Sequence, residues 1–182
     1  GTTGRPKGVM VEHASVNNLI QSLLQKYRIE LLERFLLFAN YVFDASVEQM
    51  FLSMISGGRL FLIDKESMGN SDDFEKCIIK NGITHVHSTP SYLSTINPSN
   101  LIGVKRVIFG AEYLSEYLFN HYKNHVPTVI NEFGPTEATI TSHISINSYL
   151  LNNEKIANLK TYVLDVHLMP VPIGVIGELY IG

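Results

Sequence analysis

The chain begins Gly1-Thr2-Thr3-Gly4-Arg5-Pro6-Lys7-Gly8, a run that combines glycine, hydroxyl groups and positive charge. Glycines let backbone N–H groups converge on an anion, the threonines add donors, and Lys7 adds a cation, a set suited to nucleotide phosphates. It is not a Walker A loop, because Lys7 precedes Gly8 and the pattern GxxxxGK[ST] does not fit. On composition alone it reads equally as a polar Gly/Thr turn. A second candidate is Phe43-Asp44-Ala45-Ser46 at a helix start, where Asp44 in isolation reads as a cap or a complement to the helix dipole. The third is Asn131-Glu132-Phe133-Gly134-Pro135-Thr136-Glu137. A Gly-Pro turn there presents Thr136 and Glu137 rigidly and gives Glu137 a position to hold Mg²⁺ beside a triphosphate; the alternative is a plain surface turn.

Two histidine pairs stand out. His85 and His87 alternate along an extended pattern and face the same side, and His121 and His125 lie one helical turn apart. Either could begin a zinc site, but no Cys or carboxylate cluster completes one at standard spacing, and a solvated helix face accounts for His121 and His125. No GxSxG elbow is present, so Ser-hydrolase chemistry has no support.

The elements that position these residues alternate between extended and helical patterns. Gly8 to Glu12 is β-branched and reads as a strand. Ser15 is placed to cap a helix with Val16, Leu19, Ile20, Leu23 and Leu24 on one face. Arg34 to Phe43 reads as a buried strand. A helix from Asp44 carries Val47, Met50, Phe51, Met54 and Ile55 at helical spacing and ends at Gly57-Gly58. Then follow a strand at 59–63, a helix at 72–80, a strand at 83–87, a short helix at 90–96, a strand at 105–109, a helix at 115–124 and a strand at 128–131. This rhythm predicts an α/β domain with mainly parallel sheets layered with helices. Beyond Gly134 the helical patterns stop. Strands at 162–166 and 177–181 flank a turn at 170–174, the start of a β-rich subregion.

The 182 residues are 45% hydrophobic, ample for a core, and the net charge of −3 offers no basic footprint for nucleic acid. Cys77 is the single cysteine, which excludes an internal disulfide and fits a reducing, cytoplasmic compartment. No apolar run approaches the ~20 residues of a membrane span. A domain rarely begins inside a functional loop, so the chain is expected to be an internal fragment.

The order and separation of these motifs resemble the adenylate-forming superfamily, and specifically the adenylation domains of nonribosomal peptide synthetases. Gly1 to Gly8 resembles the family's phosphate loop, Phe43-Asp44-Ala45-Ser46 its amino-acid anchor, and Gly110-Ala111-Glu112 the Gly-Gly-Glu turn against adenine. Asn131 to Glu137 is similar to the Asn-x-Tyr-Gly-Pro-Thr-Glu motif, with Phe133 for Tyr, and Gly177-Glu178-Leu179-Tyr180-Ile181-Gly182 matches a Gly-Glu-Leu strand motif. Asn152-Asn153-Glu154-Lys155 stands where relatives have an Ile-Gly-x-Pro turn. The chain stops before the ribose-gripping Tyr-Arg-Thr-Gly-Asp motif, and the small C-terminal subdomain with its catalytic lysine is absent. The resemblance thus implies a partial AMP-binding domain over 1–182, an α/β core to about 145 and a β-rich portion beyond it.

What the resemblance implies for chemistry is ATP-dependent activation of an amino acid as its adenylate, then loading onto phosphopantetheine of a carrier domain. Carrier and condensation domains would be partners in the parent chain, with Mg²⁺ as cofactor and no nucleic acid or membrane partner. Lys7, Thr136 and Glu137 take catalytic positions, Glu137 also binding metal. Thr2, Thr3, Gly4, Gly110, Ala111, Glu112, Asn131, Phe133 and Gly134 surround ATP. Asp44, Ala45, Glu48, His87, Ile108, Gly110, Glu132, Ile140 and Thr141 surround the amino acid. Asp44 would pair with the α-ammonium, which speaks against a fatty-acid substrate. Glu48 and Glu132 would call for a cationic side chain, lysine or ornithine first and arginine next, with Gly110 leaving room at the base. The alternative is that Glu48 is a solvated first-turn residue and the substrate merely polar, such as Gln or Ser, and a protonated His87 would itself neutralise one Glu. An acyl-CoA synthetase-like enzyme, a reductase-linked adenylation enzyme and a noncatalytic nucleotide-binding fragment remain alternatives. Residues 1–182 alone are expected not to turn over; robust adenylate formation by the purified chain would overturn this.

Overall fold

The computed structural model describes residues 8–152 and 154–182. Its centre is a six-stranded sheet in the order β2-β1-β3-β4-β5-β6, built from Arg34–Leu37 (β1), Arg59–Leu62 (β2), His85–Ser88 (β3), Arg106–Phe109 (β4), Thr128–Phe133 (β5) and His143–Ile146 (β6). The first five strands pair in parallel, and β6 runs antiparallel to β5. A separate antiparallel pair joins Thr161–Leu164 (β7) to Glu178–Ile181 (β8). The mainly parallel α/β architecture expected from the sequence is therefore the one observed.

Successive strand residues point to opposite faces, and the two faces bury different helices. Leu36, Val86, Val107, Phe109 and Val129 pack with Phe74 and Ile78 of Ser71–Asn81 (α4, after the short α3, Lys65–Gly69), Leu93 of Pro90–Leu93 (α5), and Leu118, Phe119 and Tyr122 of Glu116–Lys123 (α6). Phe35, Ile108, Ile130 and Ile144 face Leu19, Ile20 and Leu23 of His13–Lys26 (α1) and Leu52 of Ala45–Ile55 (α2). His85 and His87 alternate with Val86, so both histidines point to the α1/α2 side, as the sequence pattern predicts.

Local chemistry explains where the elements stop. Asn70 caps α4 by accepting from the N–H groups of Asp72 and Asp73, and Gly82 closes it in the left-handed region at φ 58°. Ser115 caps α6 through the N–H of Leu118. Four expectations need correction. Residues 8–12 form no strand; they are exposed and have no ladder partner among the described residues. The N-cap of α1 is Glu12 rather than Ser15, and its side chain makes no capping bond. The strand expected to reach Phe43 ends at Leu37, because the N–H groups of Phe38 and Ala39 are taken by Gln49 Oε1, at 3.0 Å each, instead of by a neighbouring strand. The buried residues of α2 are Ser46, Glu48, Gln49, Leu52 and Ser53, while Phe51, Met54 and Ile55 of the apolar stripe are exposed. No described helix is long and apolar enough to cross a membrane.

At the amino end of the sheet, Arg106 joins three segments. Its guanidinium grips the Glu33 carboxylate at both oxygens and donates to the carbonyls of Tyr27 at 2.6 Å and Arg28 at 2.8 Å. Both charged side chains are buried. Removing one partner leaves the other charge without compensation, so Glu33→Ala is expected to cost about 3–5 kcal/mol of stability, measured by urea unfolding. A loss below ~1 kcal/mol would show the pair to be solvated in effect.

Candidate functional site

Parallel pairing brings the carboxyl ends of β1, β3, β4 and β5 to one edge, with the strand order reversing between β1 and β3. Open α/β sheets bind ligands at such an edge. The loop after β1 leads to Asp44 and α2. His87 lies one residue before the end of β3, Gly110-Ala111-Glu112 follows β4, and Glu132 to Glu137 runs out of β5 into a 3-10 turn at Thr136–Ala138. These four segments lie far apart in sequence and meet here. Thr2, Thr3, Gly4 and Lys7 lie outside the described residues.

Asp44 stands at the N-cap of α2 but makes no capping hydrogen bond. Its Oδ2 instead accepts from the Thr136 hydroxyl at 2.6 Å, across 92 positions of sequence. Two cavities share the 136–141 segment as a wall. One, of about 410 Å³, is lined by Asp44, Val47, Phe51, Thr136 and Ile140; the other, of about 460 Å³, by Asn18, Glu137, Thr139, Thr141 and Asn158. Ala45 follows Asp44 and is half-buried, and Glu137 is exposed to the larger cavity.

Beneath the edge lies a buried polar cluster. Glu48 of α2 and Glu132 of β5 both accept from the Thr141 hydroxyl, at 3.0 and 3.3 Å. The imidazole of His87 lies between the acids, Nδ1 3.4 Å from Glu48 and Nε2 3.5 Å from Glu132. One oxygen of each carboxylate and His87 Nδ1 are without a hydrogen-bond partner. Burial pushes the Glu132 carboxyl up to about 8, with the Thr141 hydrogen bond opposing only part of the shift. Burial, reinforced by Arg106 and His87, drives His85 well below the usual imidazole range; its ring packs 4.6 Å from that of Phe35.

The three ligand atoms of Glu48, His87 and Glu132 lie within 4.8 Å of one another, close enough to suggest a metal. Sequence spacing reveals no such grouping, because the residues come from three elements rather than from one motif. Yet each ring nitrogen faces a different carboxylate, and an ion takes only one of them. The geometry is that of an imidazole bridging two acids. His121 and His125 are exposed neighbours on and just beyond α6, with rings 5.9 Å apart, and belong to no such cluster among the described residues.

Around the edge, Glu112 is held by Ser91, whose N–H and hydroxyl both donate to it. Ala111 adopts φ 67° beside the buried Gly110. A side chain at Gly110 would begin 2.8 Å from His87 Nε2, so the room expected there for a substrate side chain is instead filled by the imidazole. Ile108, on the α1/α2 face of β4, is fully buried. Asn131 donates to the Tyr149 carbonyl at 2.7 Å, whereas the Phe133 ring is exposed. A Cβ on Gly134 would lie 2.2 Å from the Ile140 carbonyl oxygen, which requires glycine. Thr139 and Ile140 are consecutive β-branched residues in the left-handed region, at φ 62° and 67°. That strain is of the kind stored at functional loops.

Sequence reasoning missed Gln49. It holds the end of β1 through its oxygen and the His87 carbonyl through its amide at 3.2 Å. Nothing in its spacing separates it from a solvated helix residue. Its burial was hidden because the more apolar side of α2 faces outward.

This is a doubly wound α/β sheet with its motif loops collected at one edge, the layout of a nucleotide- and small-molecule-binding enzyme domain. The sequence profile described as "AMP-binding enzyme" matches residues 1–182, and the chain belongs to that family. Over its whole length it is 38% identical to a component of linear gramicidin synthase of Brevibacillus parabrevis and 32% identical to tyrocidine synthase 1 of the same organism, covering 2% and 17% of those proteins. It is also 38% identical to N-(5-amino-5-carboxypentanoyl)-L-cysteinyl-D-valine synthase of Amycolatopsis lactamdurans, of which it covers 5%. A four-domain nonribosomal peptide synthetase solved with AMP and glycine superposes with a TM-score of 0.86 at 26% identity, over 99% of this chain and 14% of that one. The chain is thus related to the adenylation domains of nonribosomal peptide synthetases and spans a small part of the proteins it matches.

The raised Glu132 carboxyl links stability to pH. A carboxyl that holds its proton more tightly when folded contributes stability that is full below its ordinary 4.5 and is lost as pH rises through about 8. The unfolding midpoint is therefore expected to fall across that window, and Glu132→Gln is expected to flatten the fall. An unchanged pH profile in the variant would refute the assignment.

Proposed function

We propose that the protein containing this chain activates an amino acid as an aminoacyl-adenylate and passes it to phosphopantetheine on a carrier domain, within a nonribosomal peptide synthetase that also carries condensation domains. The substrate carboxylate attacks the α-phosphorus of ATP, a P–O bond forms, and pyrophosphate leaves. The physical task is to bring two anions together and to offset the charge that develops. In this reading Lys7, Thr2, Thr3 and Gly4 meet the phosphates, Thr136 adds a hydroxyl, and Gly110, Ala111, Glu112, Asn131, Phe133 and Gly134 border the adenine. Glu137, an exposed oxygen donor on the larger cavity, suits Mg²⁺, which when bound would offset phosphate charge. Asp44 meets the α-ammonium, a charge-assisted contact. The work is cytoplasmic in this reading.

The side chain we assign is cationic, lysine or ornithine first and arginine next. One observation carries this: Glu48, one helical turn beyond Asp44, and Glu132 are buried together, each with an oxygen lacking a partner. Two buried carboxylates repel unless a cation or a proton intervenes. Without substrate, burial keeps a proton on Glu132 near neutral pH; an ammonium that reaches the partnerless carboxylate oxygens beside the His87 ring displaces it. Ala45, His87, Ile108, Ile140 and Thr141 complete the surroundings.

ATP–pyrophosphate exchange on the intact protein tests both levels. Lysine or ornithine is expected to drive exchange best, with rising preference as pH increases from about 6.5 to 8.5, since deprotonated Glu132 favours the cation. Asp44→Ala is expected to abolish amino-acid-dependent exchange while sparing ATP binding. Glu132→Gln is expected to reduce the cation preference more than ATP affinity. Equal activation of leucine or valine would overturn the cationic assignment, and no exchange with any amino acid would overturn the activation itself.

A further inference from the structure

The Asp44–Thr136 hydrogen bond joins two motifs that the activation reading gives to different substrates, and the inference rests on that reading. A threonine hydroxyl has one proton to donate. Here it goes to Asp44 Oδ2, at 2.6 Å, and neither residue's side chain is committed to capping its own element. A phosphate oxygen, like a carboxylate, only accepts. A full hydrogen bond from Thr136 therefore goes to Asp44 or to a phosphate, and a hydroxyl divided between them is weaker to each.

We propose that Thr136 couples the two binding events, its hydroxyl held by Asp44 until the amino acid arrives. If nucleotide binds alone, either Thr136 stays on Asp44 and the phosphate lacks a donor, or it turns to the phosphate and Asp44 loses its own. In the second arrangement the phosphate and Asp44 oxygens flank one hydroxyl that serves only the phosphate and lie within about 5 Å, which adds repulsion. An α-ammonium brings three N–H donors, satisfies Asp44 and releases the hydroxyl. Amino acid and ATP thus each remove a cost from the other, and linkage makes the effect reciprocal. The site favours this exchange because Asp44 is half-buried and Thr136 lies on a turn closed by the strained pair Thr139 and Ile140, which fixes the hydroxyl's range.

Calorimetric titration of the intact protein tests this, using the amino acid that best drives exchange, with and without Mg²⁺ and a non-hydrolysable α,β-methylene ATP analogue. The wild type is expected to bind the amino acid about tenfold more tightly with the analogue present. In Thr136→Val that ratio is expected to fall to near one, with amino-acid affinity in the absence of nucleotide raised, since no hydrogen bond to Asp44 must be broken. Thr136→Ser is expected to keep the wild-type ratio. Thr136→Ala provides a second test without added methyl bulk, and unfolding midpoints establish that each variant is folded. A purely structural role would weaken both affinities and leave the ratio unchanged; that result, or a wild-type ratio of one, overturns the coupling. Absence of exchange with every amino acid in the wild type defeats the activation reading instead.

Discussion

Parallel pairing in register is the constraint on which the site depends. Phe35 opposite His85, His85 opposite Arg106, and Arg106 opposite Thr128 set four strands to end at nearly one level. Because the strands are parallel, each return passes through a helix on one face, and each departing loop leaves from the same edge. Residues 44, 87, 110 and 132 come together for that reason alone. A slip of one residue in β3 would turn His87 toward the opposite face, away from both acids, and place Val86 among them.

The polar inward side of α2 follows from the same geometry. A helix lying across the carboxyl edge faces the ends of strands, where N–H groups run out of ladder partners. Gln49 supplies an acceptor for two of them, and Ser46 donates to the Phe43 carbonyl at 2.7 Å. Among the buried residues of the helix, Leu52 is the one large apolar side chain. The helix is anchored by directional bonds rather than by area, which fits a wall of a binding site better than a core element.

Much of this is legible in the sequence. The strands at 59–62, 85–88, 106–109 and 128–133 overlap the extended segments read from the sequence between turn signals, and α4 and α6 overlap the helical ones. The failures share a cause. Residues 8–12 have strand composition without a ladder partner among the described residues, the segment after Leu37 is diverted by a glutamine from another element, and α2 presents its apolar stripe outward. Each outcome is decided by a contact remote in sequence, which periodicity does not record. The same holds at the site: the order of motifs pointed to the edge, but the sharing of Thr141 between Glu48 and Glu132, and the imidazole filling the space beside Gly110, required three dimensions.

Glu33 and Arg106 sit at the opposite end of the sheet from the loops that carry residues 44, 110 and 134. Neither member is replaceable alone without stranding a charge, while an apolar pair of similar volume is often tolerated or stabilising. The route from one solution to the other therefore passes through a poorly folded intermediate whichever residue changes first. The pair is a point of historical lock-in: drift at positions 33 and 106 must be concerted, and homologues that have crossed the gap should have exchanged both residues, along with the means by which the Tyr27 and Arg28 carbonyls are satisfied.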